Sequence, residues 1–164
     1  MEAFWGGLLT VGLAELGDKT QLLAFMLVRQ LRRPLIVGLA LALAVLFSYA
    51  MAGAFGAWMQ QSLLLDWIRL LAGLMFMGIG CWIVSAGDEQ TDEIQAQTAS
   101  AWSAFMLAFV TIFIGELGDK SQFTVLAVSI AFEPVWLIVA GALIGSLIVN
   151  LPVIWLGQQS HSSP

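Results

Sequence analysis

The chain has 164 residues, 60% of them hydrophobic and 10% charged, with a mean hydropathy of +0.91. That composition excludes an ordinary soluble domain and predicts an all-α integral membrane protein. Eleven acidic residues against six basic ones leave a formal charge of -5 with no basic, aromatic-interleaved surface, which excludes nucleic acid as a partner. The lone Cys81 excludes an internal disulfide and a thiolate metal cage.

A membrane-spanning helix needs about 20 mostly apolar residues, and five segments meet that requirement. The first, Phe4 to Val28, has no basic leader and no small-residue cleavage site, so it reads as an uncleaved span. In its middle stands Ala14-Glu15-Leu16-Gly17-Asp18-Lys19-Thr20-Gln21. A short loop with Arg29, Arg32 and Arg33 leads to the second span, Leu35 to Met59, which is uncharged and contains Gly38-x-x-x-Ala42. The third, Leu63 to Ala86, has Asp66 and Arg69 near its start. A polar stretch from Gly87 to Ser100 follows, with Asp88, Glu89, Asp92 and Glu93, and it lacks the glycine and spacing of an EF-hand loop. The fourth span, Ser103 to Ser129, carries Gly115-Glu116-Leu117-Gly118-Asp119-Lys120-Ser121-Gln122. The fifth, Val135 to Leu156, contains Gly141-x-x-x-Gly145, Asn150 and Pro152, and a polar tail with His161 closes the chain. The seven tryptophans read as interfacial anchors.

The two octapeptides lie at an offset of 101 residues, which also matches Phe4 with Phe105 and Thr10 with Thr111. This is an internal repeat. The arginines of the first loop predict that it is cytoplasmic and the N-terminus outside. Three spans per half is an odd number, so the halves are expected to be inverted repeats, with both motifs near the bilayer midplane where such transporters bind substrate and coupling ions. The expected organisation is a first three-helix repeat over 1–86, an acidic cytoplasmic linker over 87–101 and a second repeat over 102–164. The second repeat stops one helix short, so either the sixth span is absent or a neighbouring subunit of a homo-oligomer supplies it.

An ionisable side chain at membrane depth marks function by default. On a continuous helix Glu15, Asp18 and Gln21 share one face, as do Glu116, Asp119 and Gln122. If the two helices meet across a pseudo-twofold axis, four carboxylates and two amides converge in one all-oxygen site. Hard divalent cations such as Ca2+ and Mn2+ suit it better than zinc or copper. Four carboxylates and the cationic Lys19 and Lys120 sum to -2, which one divalent cation or two protons neutralise. Carboxylates crowded in low dielectric take up protons when a metal leaves, so proton-coupled exchange follows naturally. Gly17 and Gly118 permit either close helix approach or a local helix break. Thr20 and Ser121 have two readings, donation of hydroxyl oxygen to an ion or a bond to a carbonyl one turn earlier. The structural alternative is a pair of i, i+4 salt bridges, Glu15 with Lys19 and Glu116 with Lys120. It leaves Asp18 and Asp119 unpaired at about 2.5 to 3.5 kcal/mol each.

The paired E-x-G-D-[KR]-[ST] signature, one copy per half, resembles the family of membrane cation/proton exchangers that includes bacterial manganese exporters of the MneA type. The resemblance implies export of Mn2+ or Ca2+ against protons across the inner membrane, with Glu15, Asp18, Glu116 and Asp119 as metal ligands and Gln21 and Gln122 beside them. It implies no prosthetic group and no enzyme activity. The rivals from other classes are an intramembrane enzyme using a carboxylate pair and an assembly subunit in which the motif only joins helices.

Overall fold

The computed structural model describes residues 1–62 and 100–159. It is built of α1 (Glu2–Ala14), α2 (Lys19–Leu31), α3 (Pro34–Ser62), α4 (Ala101–Glu116), α5 (Lys120–Ala131) and α6 (Val135–Gln159), with no strand among the described residues. The expected third span, Leu63 to Ala86, and the linker up to Ser100 lie outside the described residues.

Two helices, α3 and α6, are long and apolar enough to cross a membrane, each with a mean hydropathy of 2.4 over its spanning window. Both are apolar all round, as a helix bounded by protein on one side and lipid on the other should be. In α3 the inward side buries Val37, Ala40, Leu41, Ala44 and Val45, while Leu39, Leu43 and Phe47 are exposed. The five tryptophans among the described residues, Trp5, Trp58, Trp102, Trp136 and Trp155, are exposed and lie near helix ends, as interfacial anchors should.

The two motif-bearing segments depart from the continuous helices expected of them. Each breaks inside its octapeptide, giving α1 and α2 in the first half and α4 and α5 in the second, the latter pair bent by 63°. The cause is local. Gly17 and Gly118 adopt φ of +72° and +78°, left-handed backbone that other residues enter at a cost of about 1 to 2 kcal/mol. Asp18 and Asp119 are then extended and serve as the N-caps of α2 and α5. The freed backbone groups find partners, as lipid requires. Asp18 N donates to Glu15 O at 3.2 Å and Asp119 N to Glu116 O at 3.1 Å. Gly17 N donates to Gln21 Oε1 at 3.0 Å, and Gly118 N to Gln122 Oε1 at 2.8 Å.

Of the two sequence readings for these glycines, the break is the one realised. A Cβ at either position would meet nothing within 4 Å among the described residues, so no described helix approaches there. Gly118→Ala should therefore destabilise the protein by about 1 to 2 kcal/mol through backbone strain alone. Gly118→Asn should recover part of the loss, because Asn tolerates the left-handed region. Thermal unfolding of the two variants in detergent checks the order, and an unperturbed Gly118→Ala would contradict it.

The halves pack across one another: α1 lies mainly against α6, and its repeat equivalent α4 against α3. Close approach happens on α6, where a Cβ at Gly141 would strike Phe4 O and one at Gly145 would lie 2.5 Å from Leu8 O. The Gly141-x-x-x-Gly145 seam thus works as its spacing suggests. Gly38-x-x-x-Ala42 does not, since the nearest atom to a Cβ at Gly38 is Ile154 Cδ1 at 4.0 Å.

Candidate functional site

The breaks bring both octapeptides into one buried polar cluster. Glu15 and Glu116 are fully buried, and Asp18, Asp119, Thr20 and Ser121 are buried beside them. Glu15 is the C-cap of α1 and Glu116 is the last residue of α4, whereas the aspartates open α2 and α5. Oriented helix ends therefore meet at the cluster. The C-terminal ends offer carbonyl oxygens and a partial negative charge that favours cations, and the N-terminal ends favour the aspartates that cap them.

Hydrogen bonds tie the two motifs together. Thr20 Oγ1 donates to Glu116 Oε1 at 2.6 Å, bridging residues 96 apart in sequence. Ser121 Oγ lies 3.1 Å from Glu116 Oε2 and 3.3 Å from Asp119 Oδ2, facing both acceptors. Lys120 Nζ sits 3.4 Å from Asp18 Oδ1, an ion pair from one motif to the other. Asp18 Oδ2 is buried without a hydrogen-bond partner among the described residues.

Several expectations need correction. Glu15, Asp18 and Gln21 do not share one helix face, because the break puts Glu15 at the end of one helix and Gln21 in the first turn of the next. The four acids do not meet at one point either. Among the described residues no three carboxylate, histidine or cysteine side chains are grouped to hold an ion together. Glu116 and Asp119 are linked through Ser121, and Thr20 joins the first motif to Glu116. The Oε1 atoms of Gln21 and Gln122 cap the glycine N–H groups, and Gln21 Nε2 donates to Val149 O at 3.2 Å. The i, i+4 salt-bridge alternative loses the continuous helix it needs. The glutamates instead accept from neutral donors, and Lys120 reaches across to Asp18. For Thr20 and Ser121 the partner is a glutamate rather than a carbonyl one turn earlier.

Two further residues join the cluster that motif reading alone passes over. Tyr49 OH donates to Glu15 Oε1 at 2.5 Å, and Asn150 Nδ2 donates to Glu15 Oε2 at 2.7 Å, both from fully buried positions. A signal for each was present. Tyr49 is the chain's one tyrosine, placed mid-span in an uncharged segment, and Asn150 stands at the same place in the other half by the offset of 101.

The sequence model of a family described as "Divalent cation/proton antiporter GDT1" matches residues 3–91 and 104–163. A protein of Vibrio cholerae named "Putative manganese exporter" is 33% identical over 153 residues, covering 92% of this chain and 74% of that protein. A GDT1-like protein of Synechocystis is 27% identical over 176 residues, covering 96% of this chain and 84% of that protein. No solved structure matches the chain at a significant level.

Proposed function

The chain belongs to the GDT1 family of divalent cation/proton antiporters, and from that premise we propose that it exports Mn2+, with Ca2+ the second candidate, in exchange for protons at the paired acids. The observation that carries this reading is the burial of Glu15, Asp18, Glu116 and Asp119 in one hydrogen-bonded cluster drawn from both motifs, with Asp18 Oδ2 left without a hydrogen-bond partner among the described residues. Lys120 pairs with only one of these four buried acids, and the rest of their charge is offset by protons or by a cation, which are the two loads an antiporter exchanges.

In this reading Glu15, Asp18, Glu116 and Asp119 supply charged oxygens, and Thr20 and Ser121 supply hydroxyls. Lys19 and Lys120 hold the site's net charge at -2, which one divalent cation neutralises. Cations of this kind take six or more oxygen ligands, so the four acids and the hydroxyls serve jointly. Alternating access is supported by the cross-packing of equivalent helices, α1 on α6 and α4 on α3, which suits two inverted halves, 1–86 and 102–164, rocking about a shared site. In the same reading the protein lies in the inner membrane with its N-terminus outside and the linker in the cytoplasm, the orientation that the arginines of the first loop imply.

The test is flux into proteoliposomes of purified protein under an imposed proton gradient. Mn2+ movement should follow the gradient and stop when a protonophore collapses it. Equal leakage with and without the gradient, for both Mn2+ and Ca2+, would falsify the reading.

A further inference from the structure

Among the described residues four donate to the motif glutamates, and they form two repeat-equivalent pairs: Tyr49 with Asn150, and Thr20 with Ser121. Strict twofold exchange would give each glutamate one member of each pair. The structure divides them otherwise. Tyr49 and Asn150 both donate to Glu15, at 2.5 and 2.7 Å, while Thr20 and Ser121 both serve Glu116, at 2.6 and 3.1 Å.

The two environments differ in kind. Thr20 and Ser121 are hydroxyls, which can rotate between donating and accepting. Asn150 is pinned. Its Nδ2 also donates to Ser146 O at 2.9 Å and lies 3.2 Å from Ser146 Oγ. The carboxylate and the carbonyl are pure acceptors, so the amide cannot turn over without setting its oxygen against both. That orientation leaves Asn150 Oδ1 buried and, among the described residues, without a hydrogen-bond partner, on the same amide that touches Glu15. An orphaned buried acceptor is destabilising unless something satisfies it.

We propose that Tyr49 and Asn150, which lie outside the repeated octapeptide, make the two glutamates unequal. They hold Glu15 as the fixed acid of the site, and Asn150 Oδ1 is the neutral oxygen offered to the cation. Glu116, held by rotatable hydroxyls, is the acid that rearranges. The inequality stands on geometry alone; the ligand role of Asn150 rests on the antiporter reading.

The inequality is tested by thermal unfolding of purified full-length protein without added metal. In Glu15→Gln the oxygen must stay on the pinned Asn150 donor, which turns the new NH2 toward Tyr49 and costs that hydroxyl its buried acceptor, whereas in Glu116→Gln the NH2 can face Ser121, which keeps Asp119 as an acceptor. Glu15→Gln should therefore lower the melting temperature by several degrees more than Glu116→Gln. Equal shifts, or the reverse order, overturn the proposal. Should Glu15→Gln fail to fold, Tyr49→Phe against Thr20→Val makes the same comparison, and the Tyr49 variant should again lose more.

The ligand role is tested by flux kinetics. Asn150→Ala should raise the KM for Mn2+ by about tenfold or more, the scale seen for groups around a metal site, and raise it by a larger factor than turnover falls. Asn150→Ser, which keeps an oxygen, should recover part of that loss. An unchanged KM in Asn150→Ala overturns the ligand role. Absence of gradient-driven flux in the unsubstituted protein instead overturns the antiporter reading, and leaves the stability comparison to decide the inequality.

Discussion

Glu116→Gln is expected to abolish proton-driven Mn2+ flux while leaving the protein folded. The amide has nearly the shape of the carboxylate, and both partners of Glu116 are hydroxyls, Thr20 and Ser121, that can reorient to suit an NH2 group. Structure should therefore survive. Chemistry should not, because an amide carries neither the negative charge a divalent cation needs nor the proton that must replace it. Groups that merely orient a metal ligand change affinity by about 10- to 100-fold, so losing a ligand carboxylate should exceed that. A second readout needs no flux. Mn2+ at about 100 times its Kd should stabilise the unsubstituted protein by about 2.7 kcal/mol through mass action, and Glu116→Gln should show no such gain at that concentration. Retained flux together with retained Mn2+ stabilisation would remove Glu116 from the site.

Gly141→Ala is expected to unfold or severely destabilise the protein through one methyl group. The added Cβ would fall on the backbone oxygen of Phe4, with Leu8 N 3.0 Å away. Neither can swing aside as a side-chain end can. The seam is reciprocal, since a Cβ at Gly7 on α1 would strike Ile138 O on α6. To admit the methyl, α1 must move off α6, and α1 ends in Glu15, so the fault reaches the site. Overpacking a rigid interface typically costs about 1 to 3 kcal/mol, and backbone against backbone belongs at or above the upper end. Gly38→Ala is the matched control: its Cβ would have only Ile154 Cδ1 nearby, at 4.0 Å, so it should be neutral or slightly stabilising. Melting temperatures of the two variants in detergent decide it. A Gly141→Ala protein as stable as Gly38→Ala would show that the helices do not touch here.

The break inside each motif was partly written in the residues. Asp18-x-x-Gln21 and Asp119-x-x-Gln122 have the form of a capping box, in which a side chain at the helix start and one three residues later satisfy the first free N–H groups. Set after a glycine, that is the signature of a helix beginning. Average hydropathy hides it, because a few polar residues barely lower the mean of a long window. The helical face drawn through Glu15, Asp18 and Gln21 failed for the same reason: angular periodicity holds only while the helix continues. Tyr49 was legible as an oddity, but its partner was not, since no local rule links a tyrosine in α3 to a glutamate at the end of α1.

What the sequence alone determined was everything that depends on composition and short-range pattern. An apolar chain suited to a membrane, the positions of α3 and α6, the repeat at 101 residues and the candidate acids all follow from side-chain chemistry and spacing, which are properties of the unfolded chain as much as the folded one. Tertiary structure decided the rest. It linked Glu116 and Asp119 through Ser121, sent Lys120 to Asp18 rather than to its own helix, brought Tyr49 and Asn150 onto Glu15, and pressed α1 against the glycines of α6. Those outcomes depend on how helices far apart in sequence are oriented once packed. In an apolar medium each buried polar group must find whichever partner that packing leaves within reach.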